Sequence, residues 1–277
     1  MKKIILLLIA FISLSALAQK REKIKGNKEV LIKTFKLPEF SSVEVGDAFH
    51  VELQEATDAA TKVKIETDDN LLDVIHFDVE GDMLKITSSK EIVRYKRMNI
   101  TVYFSESFKA IRAFNKARIF SEDELNIKLL NIEVADRARV KLKLKNTDVL
   151  DIHGTEKTML DIEAKCGIAN INLSGSAEIR GEIFGRKMDV NLDEHAAFLM
   201  KGNLEKAKIN VKNKSRYNGS KLGSKVADAK VYDKADAKIN ANEDVFLEVS
   251  GNSETYIYGT PKIDLKKFKD NAVIYKK

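Results

Sequence analysis

The sequence contains a single cysteine, two prolines and no tryptophan in 277 residues. With only Cys166 available, no intramolecular disulfide can form, so the fold must be stabilised by packing and hydrogen bonds. After residue 18, no stretch is long and apolar enough to cross a bilayer as a helix. The sequence therefore excludes a disulfide framework and predicts no helical membrane span beyond the first residues.

The first 18 residues, MKKIILLLIAFISLSALA, have the three parts of a secretory signal peptide. Lys2 and Lys3 form a basic start, a short apolar run follows, and Ala16 and Ala18 precede the predicted cleavage point. No cysteine stands near that point to receive a lipid anchor. We expect residues 1–18 to direct export to the periplasm, the cell surface or the extracellular space. Removal of the two lysines would lower the formal net charge from +6 to +4.

Apolar residues alternate with charged ones along most of the chain, which is typical of strands with one face in water. The scarcity of proline agrees with this pattern, because proline interrupts strand pairing. Long helical patterns are missing, and only the segment NLLDVI, residues 70–75, is compatible with a turn or a short helix. The composition and patterning predict an all-β protein.

A segment related to INLSGSAEIRG, residues 171–181, recurs along the chain at intervals of 18 to 21 residues. Repetition at a fixed period is the signature of a solenoid. With Leu173 as the reference, the predicted equivalent positions are Ala113, Val134, Ile152, Leu192, Val211, Val231, Val249 and Phe268. Apolar residues also stand two positions before each of these, except at Lys266 in the last copy.

Two further columns of the repeat predict a tight bend. Two residues after the reference position stand Asn115, Asp136, Gly154, Gly175, Glu194, Asn213, Asp233, Gly251 and Asp270. Glycine, asparagine and aspartate favour left-handed or turn conformations, so this column predicts a corner. Four residues after the reference, eight of nine residues are small, as at Ala177 and Ala196, and the exception is Glu156. We expect close backbone packing there.

These columns predict a right-handed parallel β-helix with coils of about 19 residues, each made of three short strands and three corners. Each coil would advance by one strand spacing, about 4.8 Å. Residues 111–277 are predicted to form the repeats. Residues 19–110 are predicted to be a β-rich portion that caps or continues the solenoid, with a hairpin turning at Gly81 and Asp82.

The chain resembles a family of secreted bacterial proteins common in Bacteroidetes, the putative auto-transporter adhesin, head GIN domain family. The resemblance covers most of the chain after residue 18 and rests on ordered segments. These are FSSVEVGDAFHVELQ, VKIETDDNLLDVIHFDVEGDMLKI, NITVYF and repeats of the LSGSAEI type. It implies a right-handed β-helix and an exported protein, and it carries no catalytic residues. The chain departs from the commoner glycine-rich form at corners such as Asp136 and Glu194.

The sequence shows no catalytic, metal or cofactor site. The four histidines, His50, His76, His153 and His195, are dispersed rather than clustered as zinc ligands would be. Cys166 stands in the segment EAKCGIAN, where no base is indicated for a nucleophilic role. A small buried thiol is the better interpretation.

An alternative is a polysaccharide lyase or hydrolase with a groove along the solenoid. The carboxylates Asp136, Glu194, Asp233 and Asp270 share one predicted column, and the neighbouring lysines are Lys212, Lys214, Lys230, Lys234 and Lys238. The competing interpretation is that these are solvated corner residues selected for turn geometry. Basic stretches at residues 140–145 and 92–98 are compatible with anionic glycans or with the wet faces of strands.

The sequence therefore favours a non-enzymatic exported β-solenoid, an adhesion or binding module of the cell envelope that contacts glycan or protein. Alternatives are the polysaccharide-active enzyme and a scaffold that associates through its ends. Nucleic acid is not an expected partner of an exported protein.

Overall fold

The computed structural model describes residues 21–58 and 60–277 of the chain. The predicted signal peptide, residues 1–18, lies outside the described residues. The described chain is nearly all strand and forms a β-solenoid of about nine turns, with coils about 19 residues apart. The predicted fold class, a parallel β-helix, is confirmed.

Six long strands form the centre of the solenoid, and each pairs with the next in parallel register. Along each strand, buried apolar residues alternate with outward polar residues, so the core fills the inside of the coils. The strands are β13 (Arg139–Gly154), β14 (Met159–Leu173), β15 (Glu178–Leu192), β16 (Ala197–Val211), β17 (Arg216–Val231) and β18 (Asp236–Val249).

The strands before this central part are shorter. They are β1 (Lys23–Lys25), β2 (Val30–Lys36), β3 (Ser42–Val45), β4 (His50–Glu55), β5 (Lys62–Asp68), β6 (Ile75–Glu80), β7 (Met83–Ser88), β8 (Glu91–Arg94), β9 (Met98–Phe104), β10 (Ala110–Ala113), β11 (Arg118–Leu125) and β12 (Leu129–Val134). The strands β3 and β4 pair in parallel with β10 and β11, and β7 and β9 pair in parallel with β3 and β4. The parallel stacking therefore extends into the N-terminal portion.

Antiparallel strands complete the N-terminal end of the solenoid. The strand β6 pairs with β7 through the predicted hairpin, and β5 pairs with β9 and β2. A short 3-10 helix, Asp69–Val74, lies where the sequence is compatible with a turn or a short helix, and it buries Leu71 and Val74 against the core. The rings of Phe35 and Phe77 pack 5.3 Å apart beside it. The end of the core is therefore closed by side chains.

The opposite end is formed by β19 (Glu254–Tyr258), β20 (Lys262–Phe268) and β21 (Val273–Lys276). Here β20 pairs with β18, and β21 pairs with β19. A β-bulge in the first of these pairs places Leu265, rather than Lys266, opposite the buried Leu247. This bulge explains why the apolar column fails at Lys266 in the sequence. No strand of the described residues covers the outer side of β20 and β21.

Nine successive coils each have a corner turn whose key residue has a positive φ. The nine residues are Asn115, Asp136, Glu156, Gly175, Glu194, Asn213, Asp233, Gly251 and Asp270, with φ between 56° and 78°. This left-handed conformation is costly for residues with a Cβ, and asparagine and aspartate tolerate it best among them. The column was thus assigned correctly in eight of nine coils.

The register predicted for one coil is wrong by two residues. The structure pairs Leu173 with Gly154, not with Ile152, and places Glu156 rather than Gly154 at the corner. Gly154 was not recognised as the reference position of this coil, because glycine has no apolar side chain to fit the pattern. A Cβ at this glycine would lie 2.8 Å from a methyl carbon of Leu173, so the leucine occupies that space.

With this correction the column of small residues is complete. It consists of Ala117, Ala138, Thr158, Ala177, Ala196, Ser215, Ala235, Ser253 and Ala272, and all nine are buried. Glu156, the apparent exception, belongs to the corner column instead. The predicted close packing after the corner is therefore present in all nine coils.

The central coils differ from the predicted three short strands and three corners. Each has one two-residue turn, and the rest of the coil is a single strand of 14 to 16 residues that bends, with register shifts at some of the bends. Gly181 and Gly202 lie at two such bends, with φ of 138° and 126°. A Cβ at either position would lie 2.0 Å from a carbonyl oxygen of the preceding coil. Glycine permits the bend because nothing larger fits.

Candidate functional site

A groove of about 880 Å³ lies beside the corners of the first coils. We call it the corner groove. It is lined by Arg21, Asp47, Ala48, Phe49, Ser88, Lys90, Glu91, Ile92, Val93, Tyr95, Met98, Asn115, Lys116, Asp136, Arg137, Glu156, Lys157, Gly175 and Ser176. Four successive coils and the N-terminal portion thus contribute to one surface.

The N-terminal side of the groove is a two-stranded ribbon of β1 and β8, separate from the main sheet. Asp47 fixes the base of this ribbon. Its carboxylate accepts hydrogen bonds from Arg21, the closest at 2.6 Å, and from the backbone N–H of Ser88 at 2.9 Å. Arg21 also donates to the carbonyl oxygen of Ser88 at 3.0 Å. These contacts hold the ribbon against the β3–β4 corner.

The buried carboxylate of Asp68 anchors the other end of the ribbon. It accepts hydrogen bonds from the backbone N–H groups of Lys28, Lys96 and Arg97, at 3.0, 3.1 and 3.3 Å. Its side chain is fully buried, so these donors replace the water that the charge has lost. The ribbon is therefore pre-positioned by two carboxylates, one at each end.

Three exposed cations follow the corners on the other side of the groove. Lys116, Arg137 and Lys157 occupy the same position in successive coils, one strand spacing of about 4.8 Å apart. Within residues 21–58 and 60–277, their side chains form no ion pair and no hydrogen bond. They are therefore available to a ligand. This column was missed in the sequence, although it stands one residue after the corners of the structure.

The lining of the groove combines charges of both signs with an apolar patch. Asp136 and Glu156 alternate with the cations, and Asp136 accepts a hydrogen bond from the backbone N–H of Asn115 at 2.7 Å. Tyr95 and Val93 are exposed, by 43% and 41%, on the ribbon side. An exposed aromatic ring beside unpaired hydrogen-bonding groups can stack on one face of a ligand and orient its polar edge.

The predicted column of carboxylates does not converge in this groove. Of its four members only Asp136 lines it, whereas Glu194, Asp233 and Asp270 stand at corners further along the solenoid. The carboxylate of Asp233 accepts a hydrogen bond from the backbone N–H of Asn213 at 3.1 Å, and that of Asp270 accepts one from the backbone N–H of Gly251 at 2.9 Å. Three of the four carboxylates thus bond the backbone of the preceding coil. This supports the interpretation of the column as turn residues.

The predicted lysines are also dispersed. Lys230 pairs with Glu248 at 2.9 Å, and Lys238 lies over the ring of Tyr256 at 5.9 Å. Lys212 lines a separate smaller cavity, and Lys214 and Lys234 are exposed at corners. The structure therefore does not bring these lysines and the carboxylates together in one cleft.

Cys166 is buried in β14, as the sequence predicted. Burial raises the pKa of its thiol to about 11, so the thiol stays protonated at neutral pH. Such a thiol is a poor nucleophile, because the thiolate is the reactive form. In the part of the chain that the structure describes, no group of three His, Cys, Asp or Glu residues is placed to hold a metal ion.

The two basic stretches have different environments. In residues 140–145, Val140, Leu142 and Leu144 are buried and the lysines between them point outward, as on the wet face of a strand. In residues 92–98, Ile92, Val93 and Tyr95 line the corner groove. Only the second stretch therefore contributes to the candidate site.

Residues 39–182 and 149–261 match the family described as "Putative auto-transporter adhesin, head GIN domain". The two matches together extend over most of the repeats and the groove. The chain belongs to this family. The resemblance seen in the ordered segments of the sequence is thus confirmed. No sequence match was found among curated proteins.

Among the solved structures with the same fold are three from two species of Parabacteroides. A "putative adhesin" from Parabacteroides merdae is 16% identical with a TM-score of 0.70, and the alignment covers 92% of this chain and 99% of that one. A "putative adhesin" from Parabacteroides distasonis is 15% identical, with a TM-score of 0.68 and coverage of 92% and 100%.

A "putative lipid binding protein", also from Parabacteroides distasonis, is 18% identical, with a TM-score of 0.67 and coverage of 92% and 99%. At these identities the similarity shows the fold alone. None of the helices in the described part of this chain is long and apolar enough to cross a membrane.

Proposed function

We propose that this protein is an exported, non-enzymatic binding module of the cell envelope, which contacts a glycan through the corner groove. The observation that carries the proposal is the row of unpaired cations that lines the same groove as the exposed ring of Tyr95. Export is supported by the signal peptide pattern of residues 1–18 and by the membership of an adhesin family.

The shape of the groove favours an extended ligand. Its floor is built from equivalent positions of four successive coils, so the same kinds of side chain recur at intervals of about 4.8 Å. A linear glycan presents hydroxyl groups and sugar rings at a comparable repeat. Sugar rings stack on aromatic side chains and accept or donate hydrogen bonds to charged groups, which matches Tyr95, Arg137, Lys157 and Glu156.

The mixed charge of the lining favours a neutral or weakly charged glycan over a strongly anionic one. Glu156 and Glu91 face the same groove as the cations, so a densely charged polymer would meet repulsion as well as attraction. The dispersed carboxylates elsewhere bond the backbone of neighbouring coils, which supports binding rather than glycoside cleavage.

A glycan-array screen of the chain from Gln19 onward, followed by calorimetry with the best ligand, tests the proposal. We expect the double variant Tyr95→Ala/Arg137→Gln to weaken binding at least tenfold, because both groups contact the ligand directly. The matched control is Phe184→Ala/Arg186→Gln, which alters an equally exposed aromatic ring and an exposed arginine outside the groove.

Equal affinity in the groove variant and the control would refute the groove as the glycan site. Chromatography of the glycan after long incubation separates binding from catalysis. Recovery of shortened products would instead support the polysaccharide-active enzyme.

A further inference from the structure

One end of the solenoid exposes an unusual concentration of apolar side chains. We call this layer, residues 262–277 with strands β20 and β21, the terminal surface. Of the twelve large apolar side chains that are exposed in the described chain, five belong to it. They are Ile263, Leu265, Phe268, Val273 and Tyr275.

Ile263, Leu265 and Phe268 are apolar because they continue columns of the core. Val273 and Tyr275 instead pair with the half-buried Glu254 and Tyr256 on the outer face of β19. Leu265 pairs with Leu247, and Phe268 pairs with Val249. Both partners are fully buried, whereas Leu265 is 44% exposed and Phe268 is 54% exposed. The terminal surface thus exposes apolar side chains of a kind that the other coils bury. An exposed apolar patch of this kind marks an interaction surface.

The charge around these apolar groups is strongly positive. The terminal surface contains six lysines and two aspartates. Asp264 pairs with Lys266, and Asp270 accepts a backbone N–H, so both carboxylates are already engaged. Five lysines have no carboxylate within ion-pair distance among the described residues: Lys262, Lys267, Lys269, Lys276 and Lys277. Of these, Lys276 donates a hydrogen bond to the carbonyl oxygen of Gly259.

Several lysines of this end lie over aromatic rings. The rings of Tyr256 and Tyr275 stack 4.7 Å apart, and the ammonium of Lys277 lies 5.6 and 5.9 Å from their centroids. Lys267 lies 5.2 Å from the ring of Tyr232. Tyrosine and lysine side by side suit the boundary between lipid headgroups and acyl chains, where each has an apolar body and a polar end.

We propose that the terminal surface docks on an anionic lipid bilayer. Its lysines contact headgroup phosphates, and Leu265, Phe268 and Tyr275 enter the boundary between headgroups and acyl chains. The outer edges of β20 and β21 carry unpaired peptide groups, which need water and therefore keep the surface at the headgroup level. Apolar contact alone and charge alone each bind weakly, and the two together give stable attachment.

A second copy of the chain is less complementary to the terminal surface than an anionic bilayer is. Joining two terminal surfaces would bring two sets of unpaired lysines together, and like charges across an interface oppose association. Lysines on an exposed strand edge also discourage pairing with another strand. Positive charge, apolar groups and tyrosine are complementary to an anionic bilayer instead.

Sedimentation with vesicles of phosphatidylcholine, with and without phosphatidylglycerol, tests the proposal on the chain from Gln19 onward. We expect binding only to the vesicles that contain phosphatidylglycerol, and weaker binding as salt is raised. The variant in which Lys262, Lys267, Lys269 and Lys277 are all changed to glutamine should bind more than tenfold more weakly. Each lysine near an anionic surface contributes about fivefold to partitioning.

The control variant changes Lys165, Lys187, Lys206 and Lys225 to glutamine. It removes the same charge from exposed positions on the sides of the solenoid, so it should bind like the parent. Thermal unfolding of both variants establishes that they fold. An equal loss in both variants, or equal binding to both kinds of vesicle, would overturn the proposal.

Light scattering at high concentration gives the remaining outcome. A dimer that is lost in Leu265→Ser/Phe268→Ser, together with no vesicle binding, would assign the terminal surface to a second copy. The glycan test uses variants of the corner groove at the other end, so either proposal can fail without the other.

Discussion

The two ends of the solenoid finish the same core in opposite ways. At the N-terminal end, antiparallel strands and the 3-10 helix close the core, and Leu71 is fully buried. At the other end, Leu265 and Phe268 continue the core columns but remain about half exposed. The repeat sequence alone does not cover the core of the last coil, so each end of the solenoid needs capping residues that do not belong to the repeat. Only the N-terminal end has them within the described chain.

The largest expected effect is a difference between two leucines. Leu71→Ala should lower the free energy of unfolding by about 2–5 kcal/mol, because it leaves a cavity in a closed core. Leu265→Ala should lower it by about 1 kcal/mol, because water already reaches nearly half of that side chain. Urea unfolding followed by circular dichroism measures both. Similar losses would show that the two ends are equally closed.

Two aspartates give the next largest contrast. Asp68→Ala should cost about 1.5–3 kcal/mol, because three backbone N–H groups lose a charged acceptor in a buried site. Asp270→Ala should cost about 0.5 kcal/mol, since its single N–H partner can bond to water. The same unfolding assay applies. Limited proteolysis should also show earlier cleavage near the ribbon in the Asp68 variant, but not in the Asp270 variant.

A third contrast concerns the column of small residues. Ala177→Leu should cost about 1–3 kcal/mol by overpacking between covered coils. Ala272→Leu, at the same position in the outermost coil, should change stability by about 0.5 kcal/mol or less, because the added side chain can turn outward. Thermal unfolding is sufficient to compare them. A larger loss of stability in Ala272→Leu than in Ala177→Leu would contradict the conclusion that the outermost coil is less tightly packed.

The smallest expected effect is seen in hydrogen exchange of the unmodified protein. Amides of β20 and β21 should exchange faster than those of β7 and β9, because an outer coil opens without disturbing the rest. Exchange followed by mass spectrometry of peptides resolves the two regions. Addition of anionic vesicles should slow exchange in residues 262–277 and leave residues 83–104 unchanged.

Much of the fold could be predicted because each coil repeats the same physical requirement. The corner at Gly175 and the small residue Ala177 recur in every coil, and eight of nine corners were placed correctly. The exception arose at Gly154, which is not recognisable as an apolar position because glycine has no side chain. The nearby Ile152 was therefore predicted as the reference position of that coil. A reference position occupied by glycine can only be located from its partners.

The corner groove could not be predicted in the same way. Its ribbon depends on Asp47 and Asp68, which accept hydrogen bonds from residues 26 to 41 positions away in sequence. Such contacts have no period and leave no pattern along the chain. The cations Lys116 and Arg137 did follow the period, one residue after their predicted corners. Lys157 joins this column only after the register of its coil is corrected from Gly154 to Glu156.

The in-register pairing of the long strands has a mechanical consequence. Hydrogen bonds between coils run along the axis of the solenoid, and strands such as β14 and β15 are paired along nearly their whole length. A load applied along the axis is shared by all the bonds of one interface at once. A load applied to the chain at an outer coil breaks those bonds one after another. The direction of the load therefore decides whether the hydrogen bonds between two coils resist it together or break one after another.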